Sequence, residues 1–284
     1  MKVLVTGATG FIGNHTVRTL LAKGHQVIAT SSGKRPADPF DWFSEVTYIP
    51  FDLGNYEASI NLYDRFQCPD CMIHLAWEGL PNYNAGFHET ENLPRHLAFL
   101  ENLLRNGLRS LTIAGTCLEY GMAEGELAEN MEVHPSNPYA RAKDQLRRSL
   151  EAFRSKHPFS FKWVRLFYMY GKGQNPKSLL SQIDKAAEEN EPIFRMSGGQ
   201  QWRDYLPVEK VAEYLVEIAL QQQTEGIINC CSGKPVKIED FVRDYLNKKG
   251  YTLALELGYY PYPDYEPMKF WGNPEKLHKT LQYE

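Results

Sequence analysis

Acidic residues are absent from the first part of this chain. Its 284 residues include 35 Asp and Glu and carry a formal net charge of −4, yet the first of these acids is Asp38. The stretch VIATSSGKRP lies within the acid-free part and ends an apolar run in two hydroxyls and two cations. A ligand that meets this stretch therefore meets hydrogen-bond donors and positive charge, without a carboxylate.

Long apolar runs are absent as well. The sequence has no run of about 20 apolar residues, so we expect no membrane-spanning helix. It shows no charged leader followed by a long apolar stretch, so we expect no signal peptide. The mild negative net charge argues against a nucleic-acid surface. These features predict a cytoplasmic protein with neither a membrane nor a nucleic-acid partner.

Cysteine is scarce and odd in number. The five cysteines lie at positions 68, 71, 117, 230 and 231, and without a secretory signal they are expected to be reduced thiols. Cys68 and Cys71 form a Cys-x-x-Cys pair, but no second pair or histidine at ligand spacing accompanies it. We therefore interpret both as ordinary thiols and expect no metal site.

Short apolar runs alternate with helical stretches through the first half of the chain. The runs KVLVT, QVIAT, VTYIPFDL, MIHLAW and SLTIAG are separated by helical patterns, two of which cover about 11–23 and 92–106. This alternation predicts an α/β fold with a doubly wound parallel sheet of the Rossmann type. Residues 161–167 resemble a further strand, and beyond Tyr170 loops and aromatics dominate. We therefore predict one domain over 1–167 and a smaller one over 168–284, with about 200–232 returning to the first.

A glycine-rich turn connects the first strand to the first helix. The sequence TGATGFIG places Gly7, Gly10 and Gly13 at G-x-x-G-x-x-G spacing. Glycine lets a pyrophosphate approach the backbone, and the helix N-terminus offers free N–H groups and a positive dipole. Because strand and helix flank the glycines as this mechanism requires, the turn predicts dinucleotide binding.

The end of the second strand distinguishes between two dinucleotides. A carboxylate there accepts hydrogen bonds from the adenosine ribose and selects NAD, whereas it would repel a 2′-phosphate. Ser31, Ser32, Lys34 and Arg35 offer donors and positive charge instead, and the arginine fork matches phosphate geometry. The sequence therefore predicts NADP(H) in preference to NAD(H), which remains possible. The alternative is a solvated basic loop with no ligand.

A tyrosine and a lysine lie four residues apart on a predicted helix that Ser136 or Asn137 caps. Tyr139 and Lys143 point to the same face, so the ammonium can lower the pKa of the phenol, which then acts as an acid toward a ketone oxygen. The same spacing occurs at 168/172, 245/249 and 265/269, but only this pair follows a strand that ends in a hydroxyl, Thr116.

These stretches resemble the extended short-chain dehydrogenases/reductases of the nucleotide-sugar epimerase, dehydratase and reductase group. The resemblance also covers HLAW, GTCLEYG, NPYARAK, RLFYMYGKGQ, WRDYLPVEKVA and INCCSGKPV, nearly the whole chain. It implies that Thr116, Tyr139 and Lys143 are catalytic and that Lys143 also holds the nicotinamide ribose. It implies a homodimer through the helices near 92–106 and 138–156, and a substrate-binding role for the smaller domain.

The resemblance further implies which residues bind the cofactor and a nucleotide-sugar substrate. Asp52 is a candidate for the adenine amine, although a plain turn would use the same residue. Arg203 matches an arginine that contacts the diphosphate, with a structural ion pair to Asp204 or Glu209 as the alternative. Cofactor contacts are expected at Gly7, Thr9, Gly10, Phe11, Ile12, Gly13, Ser31, Ser32, Lys34, Arg35, Asp52, Leu53, Leu75, Ala76, Asn92, Tyr139 and Lys143, and substrate contacts at Thr116, Cys117, Tyr168 and Arg203.

The residues after Thr116 narrow the reaction. Dehydratases of the group have two acids there and decarboxylases keep a glutamate, whereas this chain has Cys117 and Leu118, with Glu119 one position later. We therefore expect hydride transfer at one carbonyl with Tyr139 as the acid/base. The prediction is an NADPH-dependent reductase of a nucleoside-diphosphate 4-keto-6-deoxyhexose. The alternatives are an NAD-dependent 4-epimerase and a non-catalytic NADP-binding regulator.

One position departs from the family pattern. The family has Asn in Arg-x-Phe-Asn-x-Tyr-Gly, where the amide contacts the sugar diphosphate, and this chain has Tyr168 there. A phenol still donates a hydrogen bond but is bulkier, so the departure bears on the sugar and its pose and not on hydride transfer. Aromatic residues near the end of the chain are interpreted either as packing or as a wall for base or sugar; they are Tyr259, Tyr260, Tyr262 and Trp271.

Overall fold

The computed structural model describes residues 1–33, 40–57, 59–262, 264 and 266–282. Strands and helices alternate along most of the chain. The strands are β1 Lys2–Thr6, β2 Gln26–Thr30, β3 Thr47–Tyr48, β4 Cys71–His74, β5 Ser110–Thr116, β6 Gly125–Leu127, β7 Ser160–Leu166, β8 Tyr168–Tyr170, β9 Ile193–Arg195, β10 Trp202–Pro207, β11 Gly226–Cys230, β12 Pro235–Lys237, β13 Ala254–Glu256 and β14 Phe270–Gly272. The helices are α1 Phe11–Ala22, α2 Leu62–Arg65, α3 Leu93–Asn106, α4 Pro138–Arg154, α5 Leu179–Glu188, α6 Val208–Leu220, α7 Ile238–Lys249 and α8 Glu275–Leu281.

A seven-stranded sheet forms the centre of the molecule. Its order is β11-β7-β5-β4-β1-β2-β3, and all neighbouring strands are parallel. The order reverses direction between β1 and β4, and a crevice outside the carboxyl ends of the strands at such a point is the usual ligand site of this architecture. The predicted α/β fold with a doubly wound parallel sheet is confirmed.

Alternating residues of the strands pack against helices on opposite faces. Val3 and Val5 of β1 pack in a cluster with residues of α1 and α6, while Leu4 between them packs in another cluster with residues of α3 and α4. Side chains of a strand point alternately to the two faces, and a parallel sheet needs both covered. This is why most residues of the sheet strands are apolar, with isolated buried polar exceptions such as Lys162 and Arg165 of β7.

Smaller pairings hold the second half of the chain. Strands β12, β10 and β8 form a three-stranded sheet, and two-stranded pairs join β13 with β9 and β14 with β6. Strand β11, from beyond residue 200, pairs with β7 in the main sheet. Among the described residues, no helix combines the length and hydrophobicity needed to cross a bilayer. The stretch VTYIPFDL is a strand only over Thr47–Tyr48, although Ile49 N and Phe51 N still donate to Ala29 O and Ser31 O beside the end of β2.

A buried carboxylate connects two of these parts. Asp204 on β10 is fully buried and accepts hydrogen bonds from Ser232 N at 2.7 Å, Ser232 Oγ at 2.6 Å and Gly233 N at 2.9 Å. Burial raises the pKa of Asp204, and these hydrogen bonds oppose the increase. Asp204 therefore fixes the loop that follows β11 against the smaller sheet.

Replacing Asp204 with alanine should destabilise the fold because four donors, the fourth being Gly272 N at 3.4 Å, lose their acceptor in a buried place. We expect the Asp204→Ala substitution to lower the free energy of unfolding by about 3 kcal/mol, measured by urea denaturation. The control is Glu101→Ala, which removes a surface ion pair to Arg105 and should cost less than about 0.5 kcal/mol. Equal losses for the two variants would contradict this account.

Candidate active site

A groove runs along the carboxyl edge of the main sheet. It is bordered by the turn after β1, the end of β2, the segment after β3 and the residues after β4. The residues that line it are Thr6, Gly7, Thr9, Gly10, Thr30, Ser31, Ser32, Phe51, Leu53, Ala76, Trp77 and Glu78. Eight of the predicted cofactor contacts, Gly7, Thr9, Gly10, Ser31, Ser32, Leu53 and Ala76 together with Gly13 behind them, thus lie at or next to this groove.

The glycine positions are explained by close backbone approaches. Gly7 has φ +66°, and a Cβ there would lie 2.9 Å from Ala76 N. A Cβ on Gly13 would lie 2.0 Å from Gly7 O, so only glycine lets α1 begin this close to the turn. Gly10 is the N-cap of α1 and lines the groove with its backbone, because it has no side chain. The turn therefore leaves backbone N–H groups accessible, which fits a pyrophosphate.

The end of β2 presents hydroxyls to the groove. Ser31 Oγ lies 2.6 Å from the Tyr48 hydroxyl, and Ser32 is exposed. Lys34 and Arg35, on which the NADP(H) prediction depends, lie outside the described residues. Asp52 is exposed and its Oδ1 accepts a hydrogen bond from Gly54 N at 2.8 Å, as a turn-forming aspartate does.

The predicted catalytic side chains come together where β5 and α4 meet. Asn137 caps α4 by accepting from Ala140 N at 2.9 Å, so Asn137 rather than Ser136 is the cap. The helix then places Tyr139 and Lys143 one turn apart, only 8 % and 2 % exposed. Thr116 ends β5 beside them, and a hydrogen bond from its hydroxyl acts to lower the pKa of the Tyr139 phenol.

Burial determines the protonation of this pair. It raises the pKa of Tyr139 well above its ordinary value, and the neighbouring Thr116 hydroxyl acts weakly in the opposite direction. Burial lowers the pKa of Lys143 to about 7, and the charge of Glu119 opposes that decrease. The expectation of a lowered pKa for the Tyr139 phenol is therefore not met in this structure, because loss of hydration on burial has the largest effect on it. A phenol of high pKa remains a proton donor.

Glu119 lies behind the catalytic hydroxyl and is completely buried. Its carboxylate accepts from Thr116 N at 2.9 Å, Trp163 Nε1 at 2.9 Å and Arg165 Nε at 2.8 Å. Thr116 Oγ in turn accepts from Leu118 N at 3.2 Å, which completes a capping box. Glu119 is thus directed into the core, and the hydrogen of the Thr116 hydroxyl stays available for donation.

Trp77 is a residue of the site that sequence reasoning missed. The Lys143 Nζ lies 4.4 Å from the centroid of the Trp77 ring and 5.4 Å from that of Trp163. Trp77 also stacks on His96 at 4.5 Å and meets the Tyr139 ring edge-on at 5.9 Å. The letters HLAW contained the signal, because a tryptophan directly after a buried strand end belongs at the carboxyl edge of the sheet.

The predicted substrate residues form a second cluster around another residue that was missed, Glu266. The Tyr168 hydroxyl donates to Glu266 Oε1 at 2.6 Å, and Arg203 Nη2 donates to Glu266 Oε2 at 2.9 Å. Arg203 is therefore paired with Glu266, and not with either of the two acids considered from sequence. Cys117 is buried, and burial together with the charge of Glu266 raises the pKa of its thiol. The stretch PYPDYEP gave no periodic pattern from which Glu266 could have been found.

The other predicted residues take supporting positions. Phe11 and Ile12 form the first turn of α1, where Ile12 packs against a core cluster, and Leu75 packs in the core beside the groove. Asn92 is buried and donates to Glu78 O at 3.0 Å. Tyr259, Tyr260 and Tyr262 are exposed, whereas Trp271 is half-buried. In the described ranges no cluster of three or more His, Cys, Asp or Glu side chains is placed to hold a metal ion.

The fold and the site together define an α/β enzyme of the dinucleotide-dependent, short-chain dehydrogenase/reductase type. Comparison with known proteins gives the family: residues 3–231 match the NAD dependent epimerase/dehydratase family. The chain belongs to that family, which confirms the predicted resemblance and the prediction of an NAD(P)-dependent enzyme.

Two curated relatives align with most of the chain. A dTDP-6-deoxy-L-talose 4-dehydrogenase (NAD(+)) of Aggregatibacter actinomycetemcomitans is 29% identical over 273 residues, covering 96% of this chain and 99% of its own length. A UDP-glucose 4-epimerase of Neisseria meningitidis serogroup B is 25% identical over 291 residues, covering 90% of this chain and 85% of its own. The solved structure of MoeE5 in complex with UDP-glucose and NAD is 26% identical, with a TM-score of 0.82, and covers 99% of this chain and 92% of its own.

The burial of Lys143 makes a prediction about pH. Folded Lys143 loses its proton near pH 7 and an unfolded lysine near 10.5, so unfolding takes up a proton between these values. The free energy of unfolding therefore rises with pH in that window, by up to about 1.4 kcal/mol per pH unit for this group. We expect Lys143→Met to remove this contribution, measured by urea denaturation from pH 7 to 9.

The exposed Lys156→Met serves as the control for that measurement. Its free energy of unfolding should follow the wild-type dependence on pH, whereas the curve of Lys143→Met should be flatter. If the Lys143→Met curve runs parallel to that of the wild type over the whole window, Lys143 is not held in its neutral form by burial.

Proposed function

We propose that this protein transfers a hydride at C4 of the 6-deoxyhexose of a nucleoside-diphosphate sugar, as a 4-ketoreductase that uses NADPH. The observation that carries the proposal is the position of Glu119. Its carboxylate is fully buried and bonded to Thr116 N, Trp163 and Arg165. Cys117 and Leu118 are not acids, so the segment after Thr116 offers no carboxylate for removing water or carbon dioxide from a sugar.

The proposed mechanism assigns one task to each catalytic side chain. A nicotinamide dinucleotide supplies the hydride that adds to C4. The Tyr139 phenol donates its proton to the C4 oxygen, which becomes a hydroxyl, and the resulting phenolate regains a proton from solvent. The Thr116 hydroxyl donates a hydrogen bond to the same oxygen, because its own acceptor position is taken by Leu118 N. Lys143, one turn from Tyr139 on α4, stabilises the phenolate by its charge when it is protonated, and its pKa of about 7 makes this contribution larger as the pH falls.

The relatives support a nucleoside-diphosphate sugar as the substrate class. Whether the reaction runs as oxidation or as reduction at C4 is tested by the assay below. The relative with 29% identity over almost its entire length is named as acting at C4 of a dTDP-linked 6-deoxyhexose, with NAD(+). Oxidation and reduction at C4 are the same reaction in opposite directions, so the same side chains serve both. The second candidate is a 4-epimerase, which the 25% identical UDP-glucose 4-epimerase favours. An epimerase returns the hydride to the same sugar and consumes no NADPH.

The decisive assay follows the absorbance of NADPH, or of NADH, in the presence of a dTDP-4-keto-6-deoxyhexose. We expect stoichiometric oxidation of the nucleotide and formation of an alcohol at C4. Interconversion of UDP-glucose and UDP-galactose without added nucleotide, and no consumption of NADPH, would show that the epimerase candidate is right and the reductase proposal wrong.

Removing the phenol hydroxyl tests the role of Tyr139. We expect Tyr139→Phe to lower kcat by about 10² to 10⁴-fold, because the proton transfer to the C4 oxygen is lost. Binding of the dinucleotide should persist, measured by the shift in melting temperature that a ligand of the folded state produces. The control is Tyr259→Phe on an exposed residue, which should retain full activity. Unchanged cellular function of the Tyr139→Phe variant would favour a protein that binds NADP without catalysis.

The cofactor preference is tested at the acid-free end of β2. We infer that Arg35 and Lys34 bind the 2′-phosphate of NADPH, a proposal supported by Ser31 and Ser32 lining the groove beside them in sequence. Arg35→Ala should weaken the binding of NADPH much more than that of NADH, since only NADPH carries that phosphate. Calorimetric titration measures the two affinities. An equal loss of affinity for the two nucleotides would contradict the preference for NADPH.

The homodimer through the helices near 92–106 and 138–156, and the domain division, stay predictions.

A further inference from the structure

One acid lines the groove, and neither the sequence nor the family comparison assigned it a role. Among the described residues that border the groove, Glu78 alone carries a carboxylate. It follows β4 by four residues, whereas the acid that selects NAD in this fold stands at the end of β2. Its side chain is 45% exposed, so at least part of the carboxylate is accessible from the groove.

Glu78 is attached to the core through a series of three hydrogen bonds. Glu78 Oε2 lies 3.2 Å from His96 Nε2, and His96 Nδ1 lies 2.8 Å from His74 Nε2. His74 Nδ1 lies 2.8 Å from Thr6 Oγ1, which also receives the backbone N–H of Leu75 at 3.2 Å. Thr6, His74 and His96 are completely buried, so this series connects the end of β1 to the rim of the groove.

The direction of every bond in the series follows from its last acceptor. An ionised carboxylate can only accept, so His96 Nε2 carries a hydrogen and, in a neutral ring, Nδ1 accepts. His74 Nε2 must then donate and its Nδ1 accept, which leaves the Thr6 hydroxyl as donor. Burial lowers the pKa values of both His74 and His96, in agreement with neutral rings, and the bond to His96 lowers that of Glu78.

The backbone of the same segment is fixed independently. Asn92 Nδ2 donates to Glu78 O at 3.0 Å, and Trp77 Nε1 donates to His88 Nδ1 at 3.1 Å. Glu78 is therefore held at its main chain and at one carboxylate oxygen, although it lies at the surface. An exposed glutamate without such restraints loses side-chain entropy when it binds a ligand, and this one has lost part of it beforehand.

The position of Glu78 indicates which part of a dinucleotide it meets. It shares the groove with Thr30, Ser31, Ser32 and Leu53, the segments that face adenosine in this fold, whereas Tyr139 and Lys143 do not line it. We propose that Glu78 is a cofactor-binding residue, whose second carboxylate oxygen accepts a hydrogen bond from adenosine, either from the adenine amine or from the ribose 2′-hydroxyl. The proposal rests on dinucleotide binding by this family and not on the direction of the reaction.

The test measures binding and not turnover. Calorimetric titration of NAD into wild type and Glu78→Gln should show a roughly tenfold to hundredfold higher Kd for the variant, because a hydrogen bond to a charged group is lost. The Kd of NADP should rise as well if the donor is the adenine amine, and should not rise if it is the ribose 2′-hydroxyl, which NADP lacks. The control is Glu101→Gln, which removes the same charge from α3 beside Arg105 and should leave both Kd values unchanged. Equal Kd values of NAD for wild type and Glu78→Gln would overturn the proposal. A wild type that binds neither NAD nor NADP would overturn both the proposal and the assignment of a dinucleotide cofactor.

A double-mutant cycle tests the series of hydrogen bonds. His96→Phe should raise the Kd of NAD in the wild-type background and have no effect on Kd in the Glu78→Gln background, since it acts through Glu78. Equal effects in both backgrounds would show that His96 has only a structural role. Nicotinamide hypoxanthine dinucleotide lacks the adenine amine, and 2′-deoxy-NAD lacks the ribose 2′-hydroxyl. The analogue that lacks the donor bound by Glu78 should have the same Kd for wild type and Glu78→Gln. If Glu78→Gln raises the Kd of both analogues, the adenosine assignment is wrong.

Discussion

The buried carboxylate of Glu119 is the interaction on which the catalytic geometry depends. It joins the end of β5, the Trp163 ring and the Arg165 guanidinium, and its charge opposes the loss of the proton from Lys143. A buried acid without partners would be very costly, so these donors are a condition for its presence. The same bonds that fix the Thr116 backbone also direct Glu119 away from the site, which agrees with the proposed reaction of one hydride and one proton transfer.

A second arrangement of buried polar groups borders the nucleotide groove. The strand ends supply backbone N–H groups at the glycine turn, hydroxyls at β2 and, after β4, a carboxylate supported by two histidines. In the usual pattern of this fold the acid stands at the end of β2. Here the sequence encodes positive charge after β2 and negative charge after β4, so the proposed contacts to the adenosine half of the cofactor come from two strand ends.

The sequence predicted what periodicity and local spacing encode. The doubly wound sheet, the glycine turn and the joint position of Tyr139, Lys143 and Thr116 could be read from it, because strand alternation and helix geometry are local properties. The sequence did not reveal that Arg203 pairs with Glu266, because the two residues lie 63 positions apart in the chain. Nor did it reveal that burial raises the pKa of Tyr139, since burial depends on which side chains, such as Trp77, fold over the site.

The two indoles next to Lys143 have an optical consequence. Trp77 borders the groove and Trp163 lies on the Lys143 side chain, so two of the five tryptophans are beside the proposed cofactor site, where a bound reduced nicotinamide would accept their excitation energy. The fold thus contains its own reporter of occupancy. Quenching of intrinsic fluorescence, with sensitised emission from the bound nucleotide, would follow cofactor exchange in real time without any attached dye.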